Sequence, residues 1–350
     1  MLLWITLLFS LAFSFFEIGG LKSKRSKKLA IIPLFLLFII VSFNRMNNDY
    51  PYYLIGFQNN GEGFEIGFQY LIKILKSINL EFEAVVFSAG LLLVFTLRKM
   101  IKGNNNFNLI ILLYSIFPLV YDINQTRNLI MYLIIIITLV CIENRNIILY
   151  YIGICLGLSF HRLALIYVPF YYLCTIKRKK YFKILWSSYF LLLIMSPFVI
   201  KILLRMFPDK IGIYLDLGKM GLGAVIIYIY VITDVFTVWW VNRKLNKQVT
   251  IAEKQKLEIL YRFVWYEILI LPFITYFMEI SRFQRNGLLV KYYYCTLAMK
   301  YLNRRDKIIT FIILIISAIM PLILMVYTSD TYLFKYLDDN YIFECLKNFF

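Results

Sequence analysis

The sequence predicts an all-α fold: a polytopic transmembrane helical bundle of about twelve spans, built as a single integral membrane domain over residues 1–350. Three observations predict it. Of the 350 residues, 61% are hydrophobic and 17% charged, whereas a soluble domain carries about 45–50% and about 25%. The mean hydropathy is +0.72. The apolar runs are unbroken over about 15–20 residues, which suits helices and not the alternating strands of a membrane barrel. Too few polar residues remain to cover a soluble surface, so a soluble enzyme, a disordered chain and a disulfide scaffold are excluded.

The expected spans, in order, are 1–20, 28–44, 84–98, 107–122, 126–142, 146–160, 162–176, 182–204, 223–242, 258–279, 286–302 and 308–327. The first run, Leu2 to Phe16, has no basic start and no evident small-residue cleavage site, so it reads as a span and not as a cleaved signal. With the N-terminus outside, 22 of the 38 basic residues fall in inner loops, among them Lys22–Lys28, Arg98–Lys102, Lys177–Lys183, Arg243–Lys256 and Arg304–Lys307. Most acids then fall outside, and the alternation obeys the positive-inside rule. The net charge of +18 is thereby accounted for by topology, and nucleic-acid binding is a poor reading. No internal repeat favours an inverted-repeat transporter.

Three outer segments stand out. Residues 44–83 hold Tyr and Gly residues and an amphipathic stretch, Glu65–Ile78, expected to lie in the interface or re-enter. Residues 205–222 form a second outer loop, and residues 328–350 an outer tail. Chemistry, if there is any, is expected on this outer side.

The five cysteines (141, 155, 174, 295, 345) show neither metal spacing nor pairing, and His161 is the single histidine. No metal site and no cofactor are expected. After the inner loops are set aside, a smaller basic set remains on the outer face: Arg127, Arg162 beside His161, and Arg282 with Arg285. The spans beginning at Thr126, Arg162 and Asn286 would all run from outside to inside. Each would present free N–H groups and a positive dipole end outside, where a cation costs about 0.3–1 kcal/mol. Cations at three such ends make sense around an anion such as a phosphate or pyrophosphate, which the guanidinium fork matches. The bland reading is that these arginines snorkel to headgroups or pair with Asp122 and Glu279. His161 sits in a short turn, where it either meets a sugar hydroxyl or satisfies the backbone of a tight hairpin. Asp49, Tyr53 and Glu65 suit sugar binding, although interfacial Tyr anchors in a solvated loop are commoner. The intramembrane charges Asp234, Arg262, Glu267 and Lys291 should face inward and pair, Asp234 being matched here with Arg262.

Taken together, Asn48-Asp49-Tyr50 with Tyr53, Glu65-Ile66-Gly67-Phe68, Asp122 to Arg127, Phe160-His161, and Ser281-Arg282 with Arg285 resemble the EpsG family of Wzy-type polysaccharide polymerases over about residues 30–300. There are departures from the family pattern at Asn47-Asn48, Asn128 and Arg162-Leu163. The resemblance implies a GT-C-like, metal-independent glycosyltransferase of the bacterial inner membrane. Its substrate would be an undecaprenyl-pyrophosphate-linked oligosaccharide, polymerised at the outer face into capsule, exopolysaccharide or O-antigen. A chain-length regulator and a flippase of the same pathway would be its partners in the lipid bilayer, and no nucleic acid. On this reading Arg127, Arg282 and Arg285 hold the pyrophosphate, and His161 orients or deprotonates the acceptor hydroxyl. Asp49, Tyr53, Glu65, Asp122 and Arg162 contribute to substrate binding. The alternatives are an O-antigen-type ligase and a lipid-linked oligosaccharide flippase or other transporter.

Overall fold

The computed structural model of the chain describes residues 2–19, 27–45, 49–101, 104, 106–206, 222–245, 249–274, 276 and 281–328. The motif residues Asn47 and Asn48, the acid Glu279, most of the second outer loop and the tail beyond Thr328 lie outside the described residues. Among the described residues the fold is all helical, with no strand. Among the described residues four helices are long and apolar enough to cross a membrane, namely Thr126–Glu143, Arg178–Ile202, Ala224–Lys244 and Arg304–Ile323. Leu2–Ile18, Phe107–Ile116 and Ile147–Phe160 are shorter apolar helices.

Several expected spans are broken, and prolines account for the breaks. The 107–122 span becomes α6 (Phe107–Ile116) and α7 (Leu119–Asn124), parted at Pro118. The 162–176 span becomes a 3-10 turn, Arg162–Tyr167, then α10 (Phe170–Thr175) after Pro169. The 258–279 span becomes α13 (Ile251–Tyr266), a 3-10 turn over Glu267–Ile270 and α14 (Leu271–Ile274), which contains Pro272. A proline lacks an N–H and crowds the carbonyl four residues back, so a continuous apolar run need not be a continuous helix.

The chain divides into two compact units, Met1–Val168 with Thr296–Phe350, and Pro169–Cys295. In the first, α1 (Leu2–Ile18) packs on α2 (Ile31–Ser42) and α6, and α2 on α5 (Glu83–Ile101). In turn α5 packs on α8 (Thr126–Glu143), which packs on α9 (Ile147–Phe160). Small residues let these helices meet: a Cβ on Gly90 would fall 2.1 Å from Ser42 Oγ, and one on Gly153 2.2 Å from Thr138 Oγ1. The 44–83 segment forms α3 (Tyr50–Gln58) and the amphipathic α4 (Ile66–Ser77). Glu17, at the end of the first apolar run, is buried. Its Oε1 accepts the Phe107 and Asn108 N–H groups at 3.1 Å and Asn108 Nδ2 at 2.7 Å, so a carboxylate from α1 caps the N-terminus of α6.

In the second unit α11 (Arg178–Met206) packs on α14, and α12 (Leu222–Lys244) on α13 and α14. Here the expected pairing of Asp234 with Arg262 is corrected. Arg262 Nε donates to Glu258 Oε1 at 2.7 Å, one helical turn back. Its Nη1 donates to the carbonyls of Leu173, Cys174 and Ile176 at 2.7–3.2 Å. The guanidinium therefore closes the C-terminal end of α10, where a cation is favoured. Asp234 pairs with Lys291 instead.

Candidate functional site

The first unit brings three of the sequence-predicted residues together. Two positive-φ glycines, Gly61 and Gly63, turn the chain between α3 and α4. Glu65 stands in extended conformation just before α4, and from there its Oε2 meets Arg127 Nη1 at 2.5 Å. Arg127 lies in the first turn of α8. Its guanidinium sits 4.6 Å from the Phe64 ring centroid and 5.6 Å from that of Tyr53, so two π faces and one carboxylate hold it. Arg127 Nε is buried and has no hydrogen-bond partner among the described residues. That is a costly position for a donor unless a ligand meets it.

Tyr53 is 3% exposed and part of an aromatic cluster with Phe64, Phe68 and Phe82. Burial pushes its phenol above the usual range, and the charge of Arg127 opposes that rise. Asp49 is half-buried ahead of α3. Asp122, on α7, is buried and accepts the Tyr114 hydroxyl at 2.8 Å.

His161 ends α9 and opens the 3-10 turn, where its Nδ1 accepts the Leu163 N–H at 3.2 Å. An Nδ1 that accepts carries no proton, so the neutral ring has its hydrogen on Nε2, and Nε2 can donate but not take a proton. Arg162 begins the turn and is exposed. A Cβ on Gly67 would fall 2.2 Å from Ser159 Oγ, so the first turn of α4 lies against the end of α9 that leads to His161. In the sequence Gly67 stands out only as part of the Glu65-Ile66-Gly67-Phe68 motif. The signal for its role was a glycine inside an amphipathic helix, where it costs about 1 kcal/mol without a packing reason.

In the second unit, Arg282 and Arg285 belong to α15, which spans Ser281–Ala298 and so starts five residues before the expected Asn286. Apolarity marks the part of a helix that lipid covers, and the polar turn ahead of it holds no breaker, so hydropathy placed the end too late. Arg282 is half-buried and Arg285 buried. Gln284, between them, donates to Asp234 Oδ2 at 2.7 Å, and Lys291, two turns on, pairs with Asp234 Oδ1. Gln284 was not singled out from the sequence, although it shares a helix face with Lys291. The same unit holds an apolar cavity of about 420 Å³ lined by Trp186, Trp239, Trp265 and Phe236 among others, and none of the sequence-predicted site residues lines it. Among the described residues no group of three or more His, Cys, Asp or Glu could hold a metal ion.

A family model described as the EpsG family matches residues 27–338, which include every residue discussed above as a substrate or catalytic candidate. The chain belongs to the EpsG family. EpsG-family proteins are Wzy-type polysaccharide polymerases, so this EpsG chain is a helical membrane protein of polysaccharide-polymerase type, in a family associated with glycosyltransferase-like activity. No curated protein and no solved structure matches it.

Proposed function

We propose that this EpsG-family protein polymerises undecaprenyl-pyrophosphate-linked oligosaccharide repeat units at the outer face of the bacterial inner membrane. The product is capsule, exopolysaccharide or O-antigen. The twelve-span, N-terminus-outside topology and a GT-C-like, metal-independent course belong to this reading. Membership of the EpsG family supports the reaction class. The observation that carries the site is Arg127, charge-balanced by Glu65 yet with a buried Nε still to be met.

The reaction is a displacement at the anomeric carbon of the growing chain. A hydroxyl at the non-reducing end of a new lipid-linked unit forms the glycosidic bond, and the bond to the lipid pyrophosphate breaks. The pyrophosphate leaves with the electron pair and takes up the hydroxyl proton. The candidate cations for the charge that develops on it are Arg127 in the first unit and Arg282 and Arg285 in the second, each read within its own unit. The task is one that preorganised donors perform best in a partly dry site. Glu65 and the Tyr53 ring aim Arg127, and Asp49, Asp122 and Arg162 contribute to sugar and acceptor binding. His161, with its hydrogen on Nε2, donates to the acceptor sugar and orients it rather than deprotonating it.

Deleting the gene is expected to abolish the polysaccharide ladder on a gel while leaving a single capped repeat. Complete loss of surface sugar with intracellular accumulation would instead indicate flipping. A chain placed on a non-carrier acceptor in reconstitution would indicate a ligase. Arg282→Ala is expected to lower turnover by about 10²–10³-fold, the range for one oxyanion-type donor, at unchanged protein level. Wild-type chain lengths from that variant would remove Arg282 from the pyrophosphate. His161→Asn separates the two jobs of the imidazole, because an Asn oxygen can still accept the Leu163 N–H. Both His161→Ala and His161→Asn are expected to lose about 10-fold or more in turnover. Recovery in the Asn variant alone would reduce His161 to a cap.

A further inference from the structure

Three contacts hold α15 on one side, and none of them belongs to the reaction. Gln284 and Lys291 are seven residues apart, which puts them within about 20° of each other around the helix. Both reach Asp234 of α12, one to each carboxylate oxygen, so a single acid spans two turns of α15. Between them lies Gly287, where a Cβ would fall 1.2 Å from Glu267 Oε1. The Glu267 side chain thus fills the place that any larger residue at 287 would need. Asp234, Glu267, Gln284 and Lys291 are all buried, at 0–4% exposure. Buried ions at such a place bring little net stability, because desolvation offsets their attraction, and their best-attested use is to fix a register.

Arg282 and Arg285 lie about 100–160° around the same helix from Gln284. A rotation or slide of α15 that the Asp234 contacts forbid would carry both guanidinium groups with it. We propose that Asp234, Gln284, Lys291 and the Glu267–Gly287 contact are positioning groups that set the rotation and height of α15, and through them the aim of Arg282 and Arg285. The inference rests on the reading that these two arginines bind the lipid diphosphate.

Purified full-length protein in detergent, titrated with geranyl diphosphate, tests both. Arg282→Ala/Arg285→Ala is expected to lose binding. If it binds as the wild type does, the diphosphate reading fails. Gly287→Ala is expected to weaken binding about 10-fold or more, since a shift near 1 Å at a binding group has effects of that order or larger. Adding Glu267→Ala, which vacates the space, should restore affinity to within about 3-fold. Gln284→Leu keeps the Asp234–Lys291 pair and the helix, so it reports even where the glycine variant does not fold. It should weaken binding about 5-fold in the wild-type background. A structural role alone would lower the thermal midpoint without changing affinity. Wild-type affinity in both Gln284→Leu and folded Gly287→Ala, with binding lost in the arginine variant, would overturn the positioning role and leave the diphosphate reading standing.

Discussion

Arg127→Met is expected to abolish long-chain polymer, and Glu65→Met introduced with it is expected not to bring the polymer back. The single change does two things. It removes a guanidinium with a buried donor to spare, and it strands the Glu65 carboxylate, which is only 17% exposed in its side chain. Stranding a partly buried carboxylate costs about 1–3 kcal/mol of stability. Loss of one preorganised cation at a developing charge costs about 10²–10³ in rate. The double variant cancels the stranding of Glu65, because removing both partners of an ion pair is often neutral. Protein level and thermal midpoint should therefore return toward wild type while the ladder stays absent. A restored ladder would mean that Arg127 only ties α8 to the start of α4, and the grip on the pyrophosphate would have to be sought elsewhere.

Arg262→Met is expected to remove most of the folded protein from the membrane fraction. The guanidinium is buried and serves the carbonyls of Leu173, Cys174 and Ile176 as well as Glu258. Methionine packs a similar stem but leaves those acceptors unmet. Breaking a buried ion pair costs about 3–5 kcal/mol, against the roughly 5–15 kcal/mol that hold a typical domain together. Arg262→Lys should recover only part of the loss, since an ammonium lacks the fork that serves Glu258 and the α10 carbonyls at once. The check is the yield and thermal midpoint of the purified variants. Wild-type values for Arg262→Met would show that α10 needs no cap.

The class of this protein was legible in composition alone, because a lipid solvent demands apolar helices and leaves that demand in every span. The helices over Thr126–Glu143, Ile147–Phe160 and Arg304–Thr328 lie within a few residues of their expected places. So did the family, since an ordered set of short motifs survives in the linear chain and the family match over residues 27–338 agrees with it. The basic residues that run against the positive-inside rule were equally visible, as exceptions to a rule that needs no structure.

Which charge meets which was not legible. Asp234 lies nearer to Arg262 than to Lys291 along the sequence, yet the packed α12 and α15 bring it to Lys291. Glu65 reads as a sugar ligand because it is an outer carboxylate beside Tyr rings, yet α3 and α4 fold it onto Arg127. The capping of α6 by Glu17 joins residues about ninety positions apart, and the His161 cap depends on a 3-10 turn that hydropathy cannot distinguish from a span. Periodicity and composition record how much of a helix lipid will cover. The partner of a buried polar group is set by distances across helices, and those exist only once the chain has packed.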